Sequence, residues 1–558
     1  MGHGRQGLRA LLVGGALVVG LAACDQPVIP VNDPTVSPTS PASAEPVAGI
    51  NQRQRSELAT GGDFRLGLTT WTEDWNPWTQ ELSDQLELVL AALRPRLFEI
   101  DAGGTLTPNP DWLDGPPEVA WQPDTAVTYH LNPQARWGDG QPVTAADFEA
   151  TWRDCAAARG DCADRGFDRV RAVTAGAGAH DVVVTYDGVY VDWPFTFIDG
   201  PARAGSATVA WTRLADHQEW TAGPYVVAAA DASGHSLELI PNRLWWGQPA
   251  LLDTVTVSQV DPTVAAELFT AGLLDTWPLE LDPARHSAAA QLEGVQIRRS
   301  EGSRWRLLAV GQAGPLADRR ARRGIILGLD RALIGQADLP GIGWRPTTLG
   351  NLVWQPGQVS YSDQVAAAGL EHDPQAAAAA LDAAGWRLGE DGWRQRDGQP
   401  LELVFLVDPD DPLSQSEALQ VAAQLRDLGV AVTLTEPQSH EAFAAAWAAG
   451  DFDLAGQGWN NQLQPALSLA QGFVTGAAGN VGGYSNAVVD ADLESAARNQ
   501  NSAARARLLA AAAATLAADV AAIPLYVLPE TWATDSTLAN FGPSGLATLR
   551  WQDVGFTR

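Results

Sequence analysis

Residues 401–436, LELVFLVDPDDPLSQSEALQVAAQLRDLGVAVTLTE, read as one β-α-β unit. LELVFLV is an apolar strand and VAVTLTE a second one. Between them Val421, Leu425 and Leu428 recur at i, i+4 and i+7, which puts three apolar side chains on one helical face. Gly429 ends that helix, since glycine accepts the backbone of a left-handed cap. Strands joined by a crossover helix lie parallel. Asp408, Asp410 and Asp411 flank Pro409 at the strand's end, where turn formation explains them better than acid–base catalysis.

The same two periodicities extend outward from this unit. Strand-like alternation returns at 64–68, 181–186, 236–240 and 254–260. Helical spacing is interleaved with it at 83–92, 262–272, 318–334, 374–384, 440–449 and 490–520. The fold class is therefore α/β. A chain of 558 residues is too long for one ordinary core, so two or three domains are expected.

Residues 126–152 form a second compact unit. Val127, Tyr129 and Leu131 share one face of a strand, and Gly138-Asp139-Gly140 reverses the chain. Thr144 caps a helix, with Asp147 in the third position of a capping box. Phe148 and Trp152 then lie i, i+4 on one helical face. Asp139 and Asp147 are read as turn and cap residues.

The chain is 46% hydrophobic and 18% charged, as soluble proteins are. Its 36 basic residues are all arginine and face 66 acids, a net charge of −30. So large an acidic excess repels phosphate and excludes nucleic acid and anionic membrane surfaces as direct partners. At the N-terminus Arg5 and Arg9 precede the apolar run LLVGGALVVGL (11–21), which has signal-peptide length. Leu21-Ala22-Ala23-Cys24 follows and looks like a lipobox, with Cys24 as the lipidated first residue of the mature chain. Removal of 1–23, a signal peptide holding two arginines and no acid, takes the charge to −32. Residues 24–60 are rich in Pro, Ser, Thr and Ala and are expected to be a disordered tether. The expected location is extracytoplasmic, with the membrane reached through the lipid alone.

Two cysteines remain, Cys155 and Cys162, and outside the cytoplasm a disulfide between them is expected. The sequence contains no GxSxG, GxxxxGK[ST], HExxH or CxxC. No catalytic residue, metal or cofactor is expected. The 22 tryptophans stand out, and several lie in polar loops: Trp71, Trp75 and Trp78 in TTWTEDWNPWTQ, Trp344 in GIGWRP and Trp459 in GQGWNNQ. Aromatic residues interleaved with amides suit a concave ligand site. Trp75, Asn76, Trp78, Trp459, Asn460, Asn461 and Gln462 are the expected ligand contacts, the first three from one lobe and the rest from the other.

Several segments carry a family resemblance. LRPRLFEIDAGGTLTPNPDWL (93–113) precedes AVTYHLNPQARWGDGQPVTAADFEATW (126–152), in which Trp137, Asp139, Gly140, Pro142, Val143, Thr144, Ala145 and Asp147 match W-x-D-G-x-P-V-T-A-x-D. TAGPY (221–225), LIPNRLWW (239–246), the helix at 317–334, HDPQAAAAALDAAGW (372–386) and GGYSNAVVDAD (482–492) follow in order. Together they resemble the family 5 solute-binding proteins of ABC importers, which include the oligopeptide- and dipeptide-binding proteins. The resemblance implies a bilobed, periplasmic-binding-protein-like (type II) fold with an extra inserted subdomain. Lobe I would be 61–96, 201–302 and 521–558, the insert 97–200, and lobe II 303–520. It further implies a peptide or other small solute as ligand and ABC permease and ATPase subunits as partners. The alternatives are a cell-wall-associated hydrolase and a ligand-sensing lipoprotein without a transport role.

One departure matters. In the family's peptide binders a segment after Gly-Trp supplies an Asp for the ligand's N-terminal ammonium. Here Gly458-Trp459-Asn460-Asn461-Gln462-Leu463-Gln464-Pro465 has no carboxylate. A buried ammonium without a counter-charge is costly. The expectation is that Asn460, Asn461 and Gln462 hydrogen-bond a neutral group instead.

Overall fold

The computed structural model describes residues 49–157, 165–231, 233–460 and 464–558. Cys24, Cys162, Asn461 and Gln462, and with them the signal-peptide, lipidation and most of the tether expectations, lie outside the described residues.

A ten-stranded mixed sheet runs through the body. Its order is Ala431–Thr435, Glu402–Leu406, Leu454–Asn460, Val295–Val310, Ala522–Asp535, Thr276–Pro278, Asp63–Leu68, Thr254–Gln259, Ser236–Pro241 and Tyr225–Asp231. At one end the opening unit forms as read: Glu402–Leu406 pairs in parallel with Ala431–Thr435, across helix Pro412–Arg426. Val421 and Leu425 are fully buried under it, and Gly429 has φ +75°.

The two central strands are long, Val295–Val310 and Ala522–Asp535, and they pair antiparallel along most of their length. Their far half (295–301 with 529–535) lies beside Thr276–Pro278, and their near half (305–310 with 522–527) beside Leu454–Asn460. Between the halves the register slips twice, at Glu301/Trp305 and Trp305/Leu307. Such irregularities break the ladder and let the strands bend. The return crossing thus falls at 527–529, inside a strand, and not at the expected boundary of 520/521. The chain has the type II bilobed fold, with its lobes joined by these two strands.

The buried apolar clusters divide accordingly. One holds Phe64, Val255 and Trp551 together with Val127, Tyr129 and Phe148, so the strand and helix at 126–152 share a core with the first lobe's sheet. Two others, around Ile325, Phe405 and Tyr526 and around Leu469, Leu493 and Leu516, belong to the second lobe. Lobes with separate cores can move as rigid bodies.

The motif at 126–152 is scaffold. Val127 and Tyr129 are inaccessible on strand Ala126–His130, and Gly140 takes φ +85°. Asp147 Oδ2 accepts the Thr144 N–H (2.9 Å), while its Oδ1 accepts the Ala204 N–H (3.1 Å), so the cap also ties down a distant loop. Cys155 is disulfide-bonded.

Three expectations change. Residues 49–60, expected within the tether, are docked: Leu58 is buried beside Leu251 and Ala539, and Arg55 pairs with Asp553 at 2.6 Å. One apolar residue and one charge were too weak a signal to read. The helical stretch 318–334 is two helices, Arg319–Leu327 and Arg331–Asp338, with Asp330 capping the second through the N–H groups of Ala332 and Leu333. The stretch 490–520 likewise splits into Ala487–Arg498 and Ser502–Asp519, where Asn501 caps the new start.

Candidate functional site

A cleft of about 1120 Å³ opens where the two long strands cross between the lobes. The first lobe lines it with the N-terminal turn of helix Asp84–Leu90 and with Glu280, Glu530 and Trp532. The second lobe lines it with Asp338, Asp411, Ser416 and Asn460. Ser303 and Arg304 contribute from the crossing itself.

The expected contact residues separate into distinct groups. Trp75, Asn76 and Trp78 are buried in the first lobe's core and do not line the cleft. Asn76 Nδ2 donates to the carbonyls of Ser206 (3.3 Å), Ala207 (3.0 Å) and Val209 (2.7 Å), while its Oδ1 accepts the Trp78 N–H at 2.9 Å. Trp78 meets Phe167 edge to face at 6.1 Å, and the Arg165 guanidinium lies 5.1 Å from its ring. This polar, Trp-rich loop closes a core: its amides satisfy backbone carbonyls that burial would otherwise orphan. Trp344 is also core. Trp459 is half-buried, pairs with Trp305 across the strands and packs 6.1 Å from Phe473. Its neighbour Asn460, opposite Arg304 in the ladder, is the one residue among the described expectations that lines the cleft.

The residues missed by sequence reading are mostly acids. Arg306 is buried beneath the cleft, with Nε and Nη2 both 2.7 Å from the Glu417 carboxylate and Nη1 2.7 Å from Asp411. Gly456 makes this possible, since a Cβ there would lie 1.9 Å from Glu417 Oε2. Asp411, read as a turn residue, both caps helix Pro412–Arg426 and takes this charge. Tyr526 donates to Asp338 at 2.8 Å. Burial pushes the Glu530 carboxyl up to about 7; Asp84 adds to the shift and Arg304 opposes it. These groups come from widely separated segments and form no local motif.

One described group has metal-ligand types, Asp408, Asp410 and His440, with ligand atoms within 4.8 Å. It is largely exposed, and Asp408 Oδ1 accepts the Asp410 N–H, which is the bond of a turn ahead of a helix. The geometry is that of a turn, and we assign no ion to it.

A ligand-sized cleft between two lobes that share only two sheet strands defines a hinged solute-binding protein. The family model for bacterial extracellular solute-binding proteins, family 5, matches residues 110–480, and the chain belongs to that family. The oligopeptide-binding protein OppA of Mycobacterium tuberculosis (strain ATCC 25618 / H37Rv) is 30% identical over 529 residues, 91% of this chain and 87% of its own. Among solved structures, the periplasmic EDTA-binding protein EppA superposes with TM-score 0.75 at 22% identity, over 92% of this chain and 100% of that one. AppA of Bacillus subtilis, in complex with a nonapeptide, superposes with TM-score 0.64 at 16% identity, over 90% and 100%. Members of the family bind solutes without converting them, so the hydrolase alternative falls. No helix among the described residues is long and apolar enough to cross a membrane.

Proposed function

We propose that this chain is the lipid-anchored substrate-binding component of an ABC importer, capturing a peptide or peptide-like solute between its lobes for delivery to a membrane permease. The observation that carries the reading is the cleft at the strand crossing. At about 1120 Å³ it exceeds the common range for drug-sized ligands, roughly 300–1,000 Å³, and so suits a solute larger than one amino acid. The similarity to an oligopeptide-binding protein over nine-tenths of the chain supports the peptide class. Contacts from both lobes make closure depend on the ligand, because only the closed state satisfies both sets. Asn460, Asn461 and Gln462, together with Trp459, are proposed to shape the second lobe's side.

The test is mass spectrometry of solute released by mild denaturation from the purified soluble chain. A set of short peptides is the expected result. A single non-peptide species would keep the binding role and replace the peptide. For the anchor, Cys24→Ser is expected to move the protein from the membrane to the soluble fraction; persistence in the membrane would remove the lipid from the proposal.

A further inference from the structure

The charged lining of the cleft is unbalanced. Seven carboxylates line it against two guanidiniums. Both guanidiniums are already engaged, Arg96 with Asp199 at 3.4 Å and Arg304 with Asp84 at 3.5 Å. Three more of the acids have arginine partners outside the cleft: Glu87 with Arg94, Glu280 with Arg285 and Asp411 with Arg306. Glu81 is exposed to water. Two acids remain, Asp338 and Glu530, one on each lobe, and among the described residues neither forms an ion pair.

Asp338 is the more telling. It is 7% exposed, and only Oδ2 is satisfied, by the Tyr526 hydroxyl. Oδ1 is buried with no partner at hydrogen-bond geometry, and the Ser416 hydroxyl is the nearby group that, with Tyr526, favours its charged form. Asp338 is also the last residue of helix Arg331–Asp338, where the helix dipole disfavours a negative charge. A buried, half-satisfied carboxylate at a helix C-terminus breaks three local rules at once, and such conflicts gather at functional sites. Glu530 reaches the same cleft from the crossing strand. Its carboxylate lies over Gly302, with Oε1 3.4 Å from where a Cβ would stand, so the absent side chain at 302 leaves it room.

Resting on the binding role proposed above, we propose that the cleft selects solutes with net positive charge, a peptide bearing a basic side chain being the expected form, and that Asp338 and Glu530 receive the cationic group from opposite walls. An ammonium or guanidinium supplies the donors that Asp338 Oδ1 lacks, and a charge-assisted hydrogen bond is stronger than a neutral one. An anionic solute would add charge to a site already short of cations, and exclusion from water strengthens that repulsion. The cleft carries acids from other segments, so recognition of a neutral group does not follow from the absence of a carboxylate in 458–465.

The experiment is calorimetric titration of the purified soluble chain, freed of co-purified solute by unfolding and refolding. The probes are the tetrapeptides Ala-Lys-Ala-Ala, Ala-Gln-Ala-Ala and Ala-Glu-Ala-Ala, with spermidine as a cation that is not a peptide. The lysine peptide is expected to bind at least tenfold tighter than the glutamine peptide, with the glutamate peptide weakest. Asp338→Asn and Glu530→Gln should each erase most of that preference. Each should also raise the melting temperature of the unliganded protein, since an uncompensated buried charge is removed; a merely structural carboxylate would lower it. Equal binding of the three peptides overturns the inference and leaves the peptide-binding reading intact. Binding of spermidine but of no tetrapeptide supports the inference and removes the peptide. Failure of both spermidine and the lysine peptide to bind overturns it.

Discussion

Asn76 shows how a residue of ligand-binding type serves a fold. Its amide donates to three carbonyls and accepts one N–H, and no part of it is exposed. Asn76→Ala leaves those carbonyls without a donor and is expected to destabilise the protein by about 2 kcal/mol, with solute affinity unchanged, as denaturant unfolding and calorimetry would measure. Asp199 makes a charged counterpart. Burial raises its pKa, but Arg94, Arg96 and Arg165 outweigh that and bring it down to about 2. A lowered carboxylate pKa stabilises the fold at pH values above the unfolded value near 4. This contribution, roughly 2 kcal/mol, is lost as pH falls from about 4 to about 2. Asp199→Asn should flatten the pH dependence of unfolding across that window; an unchanged acid limb would show that Asp199 is not its source.

At the scale of elements, local signals were legible and crossings were not. The β-α-β unit at 401–436 could be read because its strands, helix and glycine stop are contiguous, and each end carries its own cap. Helices 319–327 and 331–338 ran together because Ile325, Ile326, Leu329 and Ile334 continue the apolar pattern across the break, and the Asp330 cap separates them. The long strands 295–310 and 522–535 were missed because they bend at slipped registers and serve two lobes, so no single alternation runs through them. The cleft acids were invisible for a related reason: Asp84, Glu280, Asp338, Asp411 and Glu530 each look like an ordinary surface or cap residue until the sheet gathers them. Tryptophan in a polar loop misled because loops that close a core need the same amides as loops that hold a ligand. The crossing itself can be tested. A Cβ on Gly302 would stand 2.9 Å from the Leu528 carbonyl and 3.2 Å from Glu530 Cγ. Gly302→Ala should therefore shift the strands at the bend and lower solute affinity about tenfold, with a smaller effect on the melting temperature. Loss of stability with intact affinity would place the bend outside the binding motion.

For the whole molecule, two ion pairs bridge the lobes, one of them from the crossing strand itself. Arg505 of helix Ser502–Asp519 meets Asp192 of the insert at 3.3 Å, and Arg304 meets Asp84 at 3.5 Å. The second pair is largely exposed, so it is worth at most about 1 kcal/mol and is screened by salt. The double variant Arg304→Ala/Arg505→Ala should enlarge the radius of gyration of the solute-free protein in X-ray scattering and weaken binding no more than about tenfold. An unchanged radius would mean that the strands alone set the resting angle. The docked segment at the start of the body has a mechanical consequence. Residues 49–58 are fastened to the lobe that also carries the C-terminus, through the Gly49 N–H on the Pro543 carbonyl and the Leu58–Thr557 bridge. With the Cys24 anchor proposed above, a pull on the N-terminal side therefore arrives at that lobe and bypasses the bend. Under that proposal one half of the molecule is the stator and the other the swinging jaw, and an anchored chain is held in place without being prised open.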